Sequence, residues 1–470
     1  MAVDETSQPI DLLVSVTRDA PGTLGSQIED QFRRAIREGA LRPGARLPST
    51  RDLARQLGVS RRIAVDAYSQ LAAEGYLALR QGARPRVSET AAEAGGAVTL
   101  TPAPPPRYDF RPSVPDVSTF PRTAWLRSLR EAVTTITDAD LGYGDMRGVE
   151  ALRMALADYL GRVRGVVASP GNIVVTCGYS QGLGLVCQAL AAAGAKRAAF
   201  EDPTWPEQVQ TAVRAGLEPI PVPVDEAGIR VEELERTDAD VVILTPAHQH
   251  PMGVVLAGER RSQLLAWLRE RDAIAIEDDY DAEYRYDRAA VGALQGLEPD
   301  RVVYAGSVSK TLAPALRIGW LVVPPALLDA VAEEKIRADR GTGRIDQHAF
   351  ADFLTRGELD RHLRRMRTRY RARRDALVEA IAEELPDATV QGIAAGLHAL
   401  VELPESDDEQ AIVEEVRDRR IHLETMRDYW PPDSSGPPTL MLGYAKMSEP
   451  TIRAGVHEIA EAVRATRSRR

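Results

Sequence analysis

Only two cysteines, Cys177 and Cys187, occur in 470 residues. They are too few for a disulfide framework and lack metal-ligand spacing, so no metal is expected and a reducing compartment is. No apolar run approaches the roughly 18 residues of a bilayer span; the most apolar stretch, Gly182 to Ala195, is too short. The opening MAVDETSQPIDLL has no basic segment followed by an apolar one. That predicts no secretory leader and a cytoplasmic protein without a membrane partner. Lysine is scarce: Lys196, Lys310, Lys335 and Lys446 are the only four among 59 basic side chains. Chemistry that needs an amine has four candidates.

An apolar content of 44% at this length supplies core for more than one domain. The net charge of −10 is unevenly spread: Leu24 to Ser88 holds twelve arginines and six acids, a net +6, leaving −16 for the rest. As an average the charge argues against a nucleic-acid partner, but by segment it joins a small basic domain to a large acidic one. The Ala-, Gly- and Pro-rich stretch SETAAEAGGAVTLTPAPPPR separates them. The expected domains are residues 10–88 and 108–470, with a linker over 89–107.

In the basic domain, apolar spacing predicts helices over Leu24 to Glu38, about Ser49 to Leu57, and from Ser60 to about Glu74, with Gly58 and Val59 as the tight turn between the last two. That is a helix-turn-helix. The following YLALRQGARPRVS reads as a hairpin turning near Gly82. Arg61 and Arg62 fall in the first turn of the third helix, where side chains reach base edges or phosphates, and Ser49 and Arg51 open the preceding helix facing the DNA backbone. The stretch GALRPGARLPSTRDLARQLGVSRRIAVDAYSQLAAEGYL resembles the winged helix of GntR-type transcription regulators. The resemblance implies a double-stranded operator contacted by Arg51, Ser60, Arg61, Arg62 and the wing Gly82. Two departures leave the operator sequence open: Ala64 stands where the family often has threonine, and GARPRV replaces a glycine-rich wing. Arg84 and Arg86 are expected to strengthen the wing's phosphate or minor-groove contact.

In the acidic domain, β-rich runs (Arg197 to Asp202, Asp240 to Thr245, Ala273 to Asp278, Arg301 to Ala305, Trp320 to Val323) alternate with helical stretches. A largely parallel α/β sheet is expected. Trp205, His248 to His250, Asp278 with Tyr280, and Ser307 to Lys310 fall just past carboxyl ends of these strands, the edge where such sheets bind ligands. Lys310 lies in SVSKTLAPALRIG, beside Ser307 and Ser309 and seven residues before Arg317. A lysine forming a Schiff base with an aldehyde cofactor needs a shielded pocket, and the cofactor's phosphate needs hydroxyls and a guanidinium. Asp278 can pair with a protonated pyridine nitrogen, and Tyr280 can hold the ring's phenolic oxygen. Gly178, Tyr179 and Ser180 open a helix whose amides can cradle phosphate, and Trp205 can stack on the ring. His248 and His250, two apart with no third ligand, are poor evidence for a metal. The arginine-rich ELDRHLRRMRTRYRARRDAL is expected to be a solvated or interface face and not a second DNA reader.

In order and spacing these segments resemble the fold-type I aminotransferases, which implies pyridoxal 5'-phosphate (PLP) as cofactor. Tyr143, in LGYGDMRG, matches the tyrosine that in such dimers reaches the neighbouring subunit's phosphate, implying a homodimer. The whole chain resembles the MocR subgroup of GntR regulators: an α+β winged helix-turn-helix domain followed by an α/β fold-type I PLP-dependent transferase-like domain with a small C-terminal subdomain. Two departures bear on activity. His250, in HPMG, stands where aminotransferases place an asparagine, and Met441 falls where they place the arginine that clamps the substrate carboxylate; Arg427 is a candidate substitute. The expected function is a regulator that senses PLP or an amino compound, with two operator half-sites for a symmetric dimer. The alternatives are a working aminotransferase carrying a DNA-binding appendage, and an enzyme whose helix-turn-helix binds protein. The effector stays open among PLP, a γ-amino acid, a taurine-like sulfonate and a D-amino acid.

Overall fold

The computed structural model describes residues 14–80, 82–89, 104–286, 291–392, 395–430 and 436–469. Residues 1–13 and most of the expected linker, 90–103, lie outside them. The chain divides into two compact units, Met1–Pro104 and Pro105–Arg470.

In the first unit each helix starts where a hydroxyl can accept from the exposed amides. Thr23 caps α1 (Leu24–Arg37), Ser49 caps α2 (Thr50–Leu57) and Ser60 caps α3 (Arg61–Ala73). Gly58, at φ 64°, ends α2 in the left-handed region that a side chain would disfavour. Ile28, Phe32, Leu53, Tyr68 and Leu71 form the core, with the Phe32 and Tyr68 rings edge-on at 5.6 Å. Ala64 is fully buried there, so the residue at this position packs and does not read DNA. The wing is β1 (Leu77–Ala78) paired antiparallel with β2 (Arg86–Val87), and Gly82 turns it at φ 78°.

The second unit opens with β3 (Tyr108–Asp109) and then builds a large sheet. Its strands are β4 (Ile173–Thr176), β5 (Arg197–Asp202), β6 (Glu218–Asp225), β7 (Gly228–Ile229), β8 (Val241–Leu244), β9 (Ile274–Asp279), β10 (Val302–Ser307) and β11 (Gly319–Val322). Their order is β4-β11-β10-β9-β8-β5-β6-β7. The β10-β9-β8-β5-β6 run is parallel, whereas β11 is antiparallel to both its neighbours. β4, β8 and β11 are buried throughout, as expected of strands covered on both faces.

A smaller antiparallel sheet follows, with β12 (Thr389–Gln391), β13 (His398–Glu402), β15 (Glu424–Thr425) and β16 (Thr439–Gly443) in the order β12-β13-β16-β15. β14 (Ile421–His422) pairs with β3 and ties the start of the unit to this subdomain. The arginine-rich helix Glu358–Glu384 departs from a purely solvated face. Arg367 donates to Glu283 O (2.8 Å), Arg371 to Tyr286 O (2.5 Å), and Arg373 to Ala445 O and the Asp116 carboxylate (3.0 Å). These guanidiniums satisfy loop carbonyls while their aliphatic stems pack.

Candidate functional site

Strand register gathers the site. β9 and β10 set Asp278 beside Ala305, β10 and β11 set Ser307 opposite Gly319, and β11 sets Gly319 opposite Thr176. The segments leaving these strand ends meet at one edge of the sheet, around a cavity of about 540 Å³. Ten predicted residues line it: Tyr179, Ser180, Trp205, His250, Asp278, Tyr280, Ser307, Ser309, Lys310 and Arg317.

Three features fit pyridoxal phosphate. The first is an amine held for attack: among the described residues Lys310 Nζ makes no hydrogen bond and no ion pair. Burial draws its ammonium below the ordinary lysine range against the pull of Asp281 and Asp278. The second is a buried carboxyl that makes no salt bridge among the described residues. Asp278 is 8% exposed, and burial, reinforced by Asp279 and Asp281, pushes its pKa well above the usual range. A pyridinium nitrogen would supply the direct partner that Lys310 does not.

The third is a phosphate-sized cradle. Gly178, at φ 80°, precedes the Tyr179–Ala192 helix, which no side chain caps. Arg317, itself left-handed at φ 50°, donates to Cys177 O at 2.7 Å. A Cβ on Gly178 would lie 2.9 Å from its guanidinium, and a Cβ on Gly319 would lie 2.8 Å from the Gly178 Cα. The hydroxyls of Ser307 and Ser309 complete a ring of donors beside uncapped amides. Gly319→Ala should therefore force the Gly178 turn outward. A backbone neighbour cannot rotate away, so a cost of about 1–3 kcal/mol is expected. Calorimetric melting with and without pyridoxal phosphate should show a lower Tm and a smaller ligand-induced rise.

Around this frame Tyr179 donates to Gln208 Oε1 (3.1 Å), and its ring lies 6.5 Å from Trp205. The Tyr280 hydroxyl meets His248 Nδ1 at 3.0 Å, and the same nitrogen meets Asp281 at 3.0 Å. His250 donates its main-chain N–H to Thr245 Oγ1 (3.0 Å) and packs its ring against Tyr280, His398 and Tyr429. Its buried Nδ1 has no partner among the described residues.

Sequence reasoning missed Gln208, Thr245, Asp281, His398, Glu424 and Tyr429. Gln208 was legible, as a polar residue three positions after Trp205 at the start of a helix. The others come from the second sheet and from loops whose partners are distant in sequence. On the outer wall Tyr429 donates to Glu424 at 2.5 Å, and Glu207 and Asp428 are nearby, so this wall is acidic.

Of the expected residues, Gly178 does not itself line this cavity, and Tyr143 and Arg427 lie away from it. Tyr143 is 73% exposed and borders a separate cavity of about 300 Å³ with Asp140 and Arg344. Arg427 has a 74% exposed side chain whose nearest carboxylate is Glu409, at 4.0 Å. Met441 is fully buried in β16 against Leu400 and Met426 and presents nothing to the cavity. Among the described residues no cluster of His, Cys, Asp or Glu suits a metal ion, and no helix is long and apolar enough to cross a membrane.

In the first unit Arg51 and Arg61 are exposed and donate no hydrogen bond among the described residues. Arg62 is 91% exposed and only 3.7 Å from Asp66, a pair worth little in water. Ser49 and Ser60 already serve as caps, and Ser49 also donates to Asp52 at 2.6 Å. In the wing Arg84 is exposed, while Arg86 turns back to Gly44 O at 3.2 Å.

A winged helix-turn-helix with uncommitted arginines on its third helix, in one chain with an aminotransferase-type sheet, defines a DNA-binding regulator built on an enzyme fold. Residues 24–87 match the profile of bacterial regulatory proteins of the gntR family, and residues 115–459 that of aminotransferase class I and II. The chain is 33% identical to the HTH-type pyridoxine biosynthesis transcriptional regulator PdxR of Corynebacterium glutamicum, over 96% of this chain and 99% of that one. It is 30% identical to the probable rhizopine catabolism regulatory protein MocR of Rhizobium meliloti, over 97% of each. Among solved structures, the multiple substrate aminotransferase of Thermococcus profundus superposes with a TM-score of 0.70 at 27% identity, over 77% of this chain and 92% of that one. The chain belongs to the MocR-type GntR regulators, HTH-type transcription regulators with an aminotransferase-like second domain, a family of PLP-dependent fold.

Proposed function

We propose that the cavity holds pyridoxal phosphate, attached through Lys310, and that its occupancy by PLP alone or with an amino compound changes how a homodimer engages two operator half-sites in the cytoplasm. The observation that carries this reading is a full cofactor set, Lys310, Asp278, Ser307, Ser309 and Arg317, around a cavity that has no arginine at Met441. When bound, the cofactor supplies an aldehyde for an amine and a ring that can accept electron density. Asp278 keeps a proton on the ring nitrogen, and Arg317, the two serines and the amides after Gly178 hold the phosphate. Tyr280, steadied by His248 and Asp281, would be the residue to hold the ring oxygen. Tyr143, exposed on one subunit, serves its partner.

Without a carboxylate clamp an α-amino acid is loosely oriented, and its reacting C–H bond rarely takes the alignment that proton loss needs. Binding then outlasts catalysis. The name of the Corynebacterium relative, a pyridoxine biosynthesis regulator, favours PLP itself as effector, whereas the Rhizobium relative's, a rhizopine catabolism regulator, favours a catabolic substrate. An effector shifts DNA binding only if it binds the two states unequally. The test is fluorescence anisotropy of the upstream DNA of the gene, titrated with the chain with and without PLP and amines, beside a keto-acid assay. A changed affinity without product supports the sensor. Sustained keto-acid release at about one per second or faster overturns it in favour of a working aminotransferase.

A further inference from the structure

Of the four lysines, Lys335 alone is wholly out of water, at 0% exposure, and it lines no part of the cofactor cavity. It lies near the end of the Pro325–Asp339 helix, which packs against the Tyr179–Ala192 helix. A buried ammonium is tolerated only when its three protons find acceptors. All three do: Gln181 Oε1 at 3.2 Å, Asp339 Oδ2 at 2.5 Å and Thr342 Oγ1 at 2.7 Å. A methionine would fill such a place at no electrostatic cost, so stability alone does not account for a lysine there.

Gln181 carries the connection onward. Its Oε1 accepts from Lys335 and also from Cys177 N (2.7 Å), while its Nε2 donates to Asp339 Oδ2 (2.7 Å). Only one orientation of the amide offers oxygen to two donors and nitrogen to a carboxylate, and the ammonium enforces it by closing the ring Lys335–Gln181–Asp339. From the other side Arg317 donates to Cys177 O at 2.7 Å. Cys177 is thus held at both its main-chain nitrogen and its carbonyl. The next residue is Gly178, at φ 80°, whose turn opens the uncapped amides of the phosphate cradle.

On the reading of this cavity as a pyridoxal phosphate site, we propose that Lys335 is a positioning residue for the cofactor's phosphate. Through Gln181 it fixes the Cys177–Gly178 turn, and with it the amides that the phosphate meets, without touching the phosphate itself. Donors already in place bind an anion more tightly than donors that must be ordered on its arrival. Slackening the turn therefore weakens the hold on the phosphate end, whereas the ring end, which meets Asp278, Tyr280 and Lys310, keeps its contacts.

The test compares pyridoxal phosphate with pyridoxal, which lacks the phosphate, by spectroscopic titration of the full chain stripped of cofactor. Lys335→Met should raise the Kd for pyridoxal phosphate at least about tenfold, the scale on which residues supporting a binding group act, and leave the Kd for pyridoxal unchanged. Gln181→Leu, which leaves the ammonium Asp339 and Thr342, should do the same. The double variant should lose no more than either single one, because the two side chains act in series. If Lys335→Met does not fold, Gln181→Leu decides the matter. Arg317→Ala tests the cradle independently. A wild type that binds pyridoxal as tightly as pyridoxal phosphate, or an Arg317→Ala chain that keeps the full preference for phosphate, overturns the cradle and this role with it. A preference removed by Arg317→Ala but kept by Lys335→Met and Gln181→Leu overturns the role of Lys335 alone. Equal weakening of both ligands by Lys335→Met, the mark of a merely structural lysine, overturns it too, as do additive losses in the double variant.

Discussion

Lys310→Ala leaves a folded chain that takes up no pyridoxal phosphate covalently: borohydride reduction of the wild type fixes the cofactor on the Lys310 peptide, and the variant yields no modified peptide. The effect is all or none because, among the described residues, no other lysine lines the cavity. Lys196 is exposed on the strand side, Lys335 is tied to Asp339 and Thr342, and Lys446 is tied to Asp109. Stability should change by less than about 1 kcal/mol, since the lost ammonium has no hydrogen bond to give up. A modified Lys335 or Lys446 in the variant would refute the assignment.

Arg61→Ala and Arg62→Ala should each weaken operator binding by about 1–3 kcal/mol, the worth of a guanidinium at a base edge, and the double variant by roughly the sum. Neither change should alter folding, because neither side chain contributes to the core of the first unit. Arg51→Ala should behave differently. Placed at the start of α2 it is expected to face phosphate, so its loss should weaken all sequences alike and flatten the salt dependence by about one unit of slope. Footprints and salt titrations on all three variants check this. Unchanged protection throughout would remove the DNA-reading role from α3.

Much of this was legible because local rules decided it. Ser49, Gly58 and Ser60 mark helix ends by cap chemistry, and β5 and β9 announce themselves as short apolar runs ending in acids. β6 was not legible: EPIPVPVD carries prolines at 219, 221 and 223, which argue against a strand. It forms because it lies near the sheet's edge, where β7 pairs only with Val224 and Asp225 and few amides are needed. Much of the cavity lining was readable as strand-end residues, whereas the acidic wall of Glu424 and Asp428 was not. It depends on the second sheet coming to face the first, a tertiary fact with no local signature. Arg86 and Ser60 show the converse: residues of the right type at the right place already employed by the fold.

The uncommitted state of Arg51, Arg61 and Arg62 has an evolutionary consequence. Since the caps and core of the first unit rest on other residues, exchanging Arg61 and Arg62 would, on the proposed reading, shift sequence preference, and exchanging Arg51 overall affinity, at almost no cost in folding. Beside the cavity the reverse holds: a Cβ on Gly178 would come within 2.9 Å of the Arg317 guanidinium and one on Gly319 within 2.8 Å of the Gly178 backbone, so neither glycine can change alone. Descendants of such a chain are free to wander among target genes while keeping their chemical sense.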